Sequence, residues 1–168
     1  ADFALGYFLE QARKHAWFKD TLFVVIADHG ARVYGKVEIP LKTYEIPFMI
    51  WSPQHIQPRR VDVLTGQIDV APTLLGLLGI AYTAPFFGQN VLAADPGPRI
   101  ALFNHNHDVA LYRDGKIVVL GLQKKSTTYT YDKANNSFTL APRDVQLEDL
   151  AIAYYQTAFE LFRAHAYE

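Results

Sequence analysis

The chain has 168 residues, 50% of them hydrophobic and 14% aromatic, enough to bury one sizeable core and to read as one globular unit. Its formal net charge is −1, without a basic or acidic block, which excludes a polyanion-binding surface, so no nucleic-acid partner is expected. Cysteine is absent, which rules out disulfides, zinc–thiolate centres and a thiol nucleophile, and no apolar run reaches the roughly 18 residues needed to span a bilayer.

Taken in chain order, Phe3, Ala4, Tyr7, Phe8, Ala12 and Ala16 have the spacing of an amphipathic helix over 3–16, with Asp2 as its cap. Lys19-Asp20 then turns into the run Leu22-Phe23-Val24-Val25-Ile26-Ala27, rich in β-branched and aromatic residues and predicted as a buried strand. Helix followed by strand is half of a βαβ unit and predicts a parallel sheet. Residues 30–44 read as a loop, 46–51 as a second apolar strand stopped by Ser52-Pro53, and 54–66 as a loop with Arg59-Arg60 exposed. Asp69 is the predicted N-cap of a helix over 70–78, with Pro72 in its first turn and Gly79 ending it.

Residues 80–99 are rich in Pro and Gly and read as loop. Strands are predicted over 100–104, 108–112 and 116–122, the last two joined by an Asp114-Gly115 hairpin turn. Further strands follow at 127–131 and 137–140, turned by Asn135-Asn136. A helix over 144–165 closes the chain, with Leu147, Leu150, Ala151, Tyr154, Tyr155, Ala158, Phe159 and Phe162 on one face.

The chemistry concentrates at Asp28-His29-Gly30, directly after the first strand. The carboxyl ends of strands in α/β sheets are where sites collect. Neighbours on an extended strand point to opposite faces, so Asp28 and His29 share one metal only if the chain turns, and Gly30 lets it turn there. Carboxylate plus imidazole suits Zn²⁺ or Mn²⁺, and two ligands are half of a site. Seen alone, the pair also reads as a capping Asp beside a surface His.

Two further groups stand out. In Asn104-His105-Asn106-His107-Asp108, alternate residues on a strand would put His105 and His107 on one face, able to ligate together or to donate to a phosphate or sulfate oxygen. A solvated polar bend is the plainer alternative. Arg32, Tyr34, Lys36 and Lys42 follow the Asp-His pair, where cations would stabilise a transferring phosphoryl or sulfuryl group, against the alternative of an ordinary solvated loop.

Thr21–Gly30, Tyr44–Pro53 (Tyr-Glu-Ile-Pro-Phe-Met-Ile-Trp-Ser-Pro) and Gln67–Gly79 (Gln-Ile-Asp-Val-Ala-Pro-Thr-Leu-Leu-Gly-Leu-Leu-Gly) occur in that order. Together they resemble the sulfatase branch of the alkaline phosphatase superfamily, closest to the membrane-anchored phosphoglycerol transferases that include lipoteichoic acid synthase-like enzymes. The resemblance covers 3 to about 92 well and 99–122 loosely, and the tail from about 123 matches no part of the family.

The resemblance implies an α/β fold: the C-terminal portion of an alkaline phosphatase-like sheet flanked by helices, with a small antiparallel hairpin region and a C-terminal helix. It implies two segments, 1–122 as the C-terminal part of a sulfatase-like catalytic domain, and 123–168 as a hairpin plus amphipathic helix packed on the same unit. Asp28 and His29 become metal ligands, with His105, His107, Arg32 and Lys36 as candidate substrate-binding residues. The metal would be Mn²⁺ or Zn²⁺, with Mg²⁺ or Ca²⁺ as alternatives.

No residue matches the family's nucleophile, so the chain reads as a C-terminal piece, inactive alone, whose partner is the remainder of the parent catalytic domain. The substrate would be a phosphate or sulfate ester, with a lipid head group among the candidates. The parent would sit in the cytoplasmic membrane with its catalytic domain outside. Two other readings stand beside this one. One is a non-catalytic interaction module in which Asp28-His29 merely caps a strand. The other is a different superfamily enzyme, a phosphomutase or nucleotide pyrophosphatase.

Overall fold

The computed structural model describes residues 2–31, 39–95 and 97–166. The chain divides into two units, one holding the N-terminal segment through Asp28-His29 together with Leu41–Val61, the other holding the chain from Asp62 onward.

In the first unit, helix α1 (Asp2–Ala12) carries Asp2 in its first turn, where an anion suits the helix dipole. It ends earlier than its apolar spacing predicts, because His15 is extended (φ −103°, ψ 145°) and the chain re-enters as a 3₁₀ turn over Ala16–Asp20. That break delivers Trp17 and Phe18 to the strands. Strands β1 (Phe23–Ile26) and β2 (Phe48–Trp51) pair with Phe23 opposite Trp51 and Ile26 opposite Phe48.

The pairing is antiparallel, which corrects the expectation of a parallel sheet. The aromatic residues account for this direction. Phe23 and Trp51 lie 5.2 Å apart, and Phe18 sits 5.3 Å from Phe23 and 5.5 Å from Trp51. An antiparallel register alone brings the start of β1 beside the end of β2 so that these rings meet, each such pair contributing about 0.5–1.5 kcal/mol beyond area burial. The Asp-His bend after β1 therefore lies next to the entry of β2, and the amide of Ala27 bonds the Pro47 carbonyl there, 3.3 Å away.

In the second unit a 3₁₀ turn (Gln67–Asp69) leads into helix α2 (Val70–Leu77). Gly79 takes φ +65°, and the amides of Gly79 and Ile80 bond the carbonyls of Gly76 and Leu75, a left-handed helix stop. Strands β3 (Ala101–His105), β4 (Asp108–Arg113), β5 (Lys116–Leu120), β6 (Ser126–Asp132) and β7 (Ser137–Leu140) form one antiparallel meander in sequence order. Both residues of the Asp114-Gly115 turn have positive φ (+50° and +79°), the geometry that matches strand twist. Every strand pairing among the described residues is antiparallel.

Helix α3 (Val145–Arg163) covers one face of the meander, where Ile100, Leu111, Val118, Leu147 and Ala151 form the core, flanked by Leu102, Leu120, Leu150 and Tyr154. Asp144 caps the helix, accepting from the Leu147 amide at 3.1 Å. The Tyr155 hydroxyl donates to the carbonyls of Phe103 (2.6 Å) and Ala110 (3.2 Å). The apolar stripe is buried only in its first half. Phe159 and Phe162 are exposed, because the sheet contacts run out before the helix does.

Candidate functional site

Asp28 and His29 form a bend immediately after β1, and both side chains are exposed. The His29 amide donates to Asp28 Oδ1 at 2.9 Å, which folds the carboxylate back over the bend. His29 Nδ1 lies 2.9 Å from the Gly30 carbonyl oxygen. A carbonyl only accepts, so Nδ1 carries the proton and the lone pair of the neutral ring sits on Nε2. That nitrogen is 3.9 Å from Asp28 Oδ1. Two ligands of one zinc at ~2.0 Å stand roughly 3.3 Å apart, so the pair stands somewhat wider than two donors on one ion.

Gly30 contributes by close approach rather than by an unusual φ. A side-chain carbon there would collide with the backbone carbonyls of Thr43 and Glu45. The glycine thus lets the bend press against the segment entering β2.

Carboxylate oxygen and imidazole nitrogen in this arrangement fit half of a zinc or manganese shell. Among the described residues no group of three or more His, Cys, Asp and Glu gathers to complete one. Arg32, Tyr34 and Lys36 lie outside the described residues. Lys42 falls in a 3₁₀ turn over Leu41–Tyr44.

In the second unit, His105 ends β3 and His107 lies in the two-residue turn before β4, with Asn106 at φ +55°. The turn breaks the strand's two-residue period, so the expectation that both imidazoles share a strand face does not hold. His107, not His105, lines a pocket of about 260 Å³ framed by this turn and the β5–β6 connection. Sequence reading missed the members of that connection, Gly121 and Lys125. The signal for it was a glycine followed by the Lys124-Lys125 pair.

Asp69 departs from its expected role. Its side chain makes no capping bond to α2. It instead accepts from the amides of Gly66 and Gln89 (both 2.8 Å) and from Arg99 (2.5 Å), and is 3% exposed. Three competing donors, one of them charged, take the carboxylate away from the helix. Arg99 also donates to the Leu64 carbonyl and to Gln89 Oε1. Val91 is tied to α2 through Thr73 Oγ1, and Gly88 passes the Ile68 carbonyl too closely for any side chain.

A crystal structure of a protein in the alkaline phosphatase superfamily from Vibrio parahaemolyticus superposes with a TM-score of 0.88 at 32% identity, over 99% of this chain and 41% of that one. The sulfatase family model matches residues 1–80. An endo-4-O-sulfatase of Bacteroides thetaiotaomicron is 32% identical over 133 residues, 69% of this chain and 26% of the relative. The lipoteichoic acid synthase-like YvgJ of Bacillus subtilis is 29% identical over 120 residues, 61% of this chain and 19% of the relative.

The chain belongs to the alkaline phosphatase superfamily, on its sulfatase branch. It spans about a quarter or less of the curated relatives it matches. The structural match runs through the tail from 123 on, which sequence reading could not attach to the family.

Proposed function

We propose that the chain forms the C-terminal part of a metal-dependent, sulfatase-like phosphoglycerol transferase or ester hydrolase, and that it supplies Asp28 and His29 to the metal. Membership of the sulfatase branch supports an enzyme that handles sulfuric or phosphoric esters. The observation that carries the residue assignment is the bend itself, in which His29 is held with Nε2 toward the Asp28 carboxylate, both exposed. Fixing the tautomer through the other ring nitrogen is how proteins orient a ligating histidine.

A divalent ion bound there would polarise an ester oxygen and lower the pKa of an attacking hydroxyl. The chain's own part is to hold two donors at a strand end, with Gly30 fixing the bend against the Thr43–Glu45 backbone. The nucleophile and the remaining ligands are assigned to the rest of the parent domain, covering residues outside 1–168. On the resemblance to the phosphoglycerol transferases, that parent is anchored in the membrane. No helix among the described residues is long and apolar enough to cross one.

Asp28→Ala and His29→Ala in the parent protein test this. Each is expected to lower turnover of a generic phosphodiester or sulfate ester by on the order of 100-fold or more, the upper range seen for groups that merely support a metal ligand. The circular dichroism should stay unchanged, since both side chains are exposed. Unaltered turnover in both variants defeats the assignment, and robust turnover by residues 1–168 alone defeats the split site.

A further inference from the structure

Helix α2 is apolar on every side, and the chain covers one side of it. Its sequence, Val-Ala-Pro-Thr-Leu-Leu-Gly-Leu, carries no charge, and a helix that is hydrophobic all round belongs in a protein interior. One side is fastened. Pro72 and Thr73 are buried, the Val91 amide donates to Thr73 Oγ1 at 3.1 Å, and Gly76 lies so close to the Asn90 side-chain amide that a methyl group would collide with it.

Ala71, Leu74 and Leu78 recur at three- and four-residue spacing on the opposite side. Leu78 is 57% exposed and Ala71 is exposed with it. The left-handed stop at Gly79 folds the chain back, with the Ile80 amide on the Leu75 carbonyl at 3.0 Å. Every residue from 76 to 86 is then exposed, Leu77, Ile80, Tyr82 and Phe86 among them, and the Tyr82 and Phe86 rings meet at 5.4 Å. Single exposed apolar residues are ordinary, whereas a continuous apolar surface marks an interface.

Charge narrows the choice of occupant. No charged residue lies between Asp69 and Asp95, and no Lys, Arg or His occurs from Val61 to Pro98. A membrane surface draws proteins in through Lys and Arg, which this stretch lacks. A transient partner is met across a polar rim, whereas an uncharged face resembles a domain core cut in half, the character of a permanent interface. The chain spans less than half of each relative it matches, so a parent of that kind has ample further chain to lay against this face.

We propose that the face made by Ala71, Leu74, Leu78 and residues 80–86 is the seat on which the remainder of the parent catalytic domain packs, through an uncharged apolar surface of its own. The inference rests on the reading of the chain as part of a larger enzyme and adds where the two parts join.

The test uses the absence of cysteine from the chain, which makes an introduced thiol a specific probe within it. Leu78→Cys and Tyr82→Cys are made in the 168-residue chain and in the intact parent, and their reaction with an uncharged thiol reagent is located by peptide mass. In the chain alone both thiols should react nearly as fast as in denaturant. In the parent both should slow by on the order of 100-fold, because labelling then needs a local opening, and denaturant should restore the rate. Leu78→Asp supplies a second measurement. It should leave the urea midpoint of the chain nearly unchanged and lower that of the parent.

Rapid labelling of both positions in the parent overturns the proposal, as does an equal effect of Leu78→Asp on chain and parent. Protection that appears only when anionic phospholipid vesicles are added assigns the face to a membrane instead. Protection of the parent that is lost on dilution assigns it to a second copy. Neither metal nor turnover enters these readouts, so their failure is separable from a failure of the Asp28→Ala experiment.

Discussion

Arg99 reaches across thirty residues of sequence to pair with Asp69, 2.5 Å from guanidinium to carboxylate, and both are largely buried. The same guanidinium bonds Leu64 and Gln89, while the same carboxylate takes the amides of Gly66 and Gln89. One ion pair therefore joins three separate stretches around the start of α2.

Removing one partner leaves the other buried without its counter-charge, which costs about 3–5 kcal/mol. Arg99→Ala and Asp69→Ala are each expected to lower stability by that amount, read as a lower urea midpoint at unchanged slope. Arg99→Lys should rescue only part of the loss, because a single ammonium cannot serve three acceptors in a planar fork. Full rescue by lysine would show that charge alone matters.

Gly30→Ala is expected to destabilise the chain by about 1–3 kcal/mol, the usual cost of overpacking. The added methyl meets backbone carbonyls of Thr43 and Glu45, which cannot swing aside as a side chain would. On the proposed metal role of Asp28 and His29, the same change in the intact protein should also lower metal affinity, since the bend must move. A neutral effect on urea unfolding would contradict the close approach.

Acid should loosen the junction between the meander and α3. The Arg143 guanidinium, bonded twice to Glu148 at 2.8 Å, and then the Ser126 hydroxyl hold the Glu148 carboxyl below its ordinary value. The Lys116 ammonium, then the Leu147 amide, do the same for Asp144. A depressed folded pKa contributes stability above the unfolded value and loses it as pH falls through the folded one. The melting temperature should hold level from pH 7 to about pH 5 and decline below about pH 4. Glu148→Gln should melt lower at neutral pH and converge with the unaltered chain in acid. Parallel curves would exclude Glu148 as the source.

Tyr155→Phe removes a hydroxyl that serves two strand carbonyls, those of Phe103 and Ala110. A loss of about 1 kcal/mol in denaturant unfolding is expected, the net worth of a typical intramolecular hydrogen bond. No change would mean that both carbonyls find other donors.

What the sequence disclosed follows the range over which each signal acts. The Asp114-Gly115 turn, the strand at 137–140 and the start of the closing helix at 144–145 are local, and each appears where residue chemistry puts it. The direction of β1 against β2 was misread, because an apolar run of four to six residues carries no arrow. The deciding contact, Phe23 against Trp51, spans the two strands. Asp69 looked like a helix cap because its true partner lies thirty positions away. His105 and His107 looked alike because period-two reasoning assumes an unbroken strand, and Asn106 breaks it. The Asp28-His29 pair was legible as a motif, whereas the contact of His29 Nδ1 with the Gly30 carbonyl is a feature no spacing encodes.

The meander has a kinetic consequence. Each of its four pairings joins strands adjacent in sequence, so no long loop must close before the sheet gains its first contacts. Such topologies fold fast for their size. The tight Asp114-Gly115 hairpin is the natural starting point, and β3 and β6 then add on either side of it. Helix α3 comes last in the chain and covers a surface already assembled. Gly115→Ala, forced into φ +79°, should therefore slow refolding more than it speeds unfolding, whereas Leu147→Ala on α3 should do the reverse.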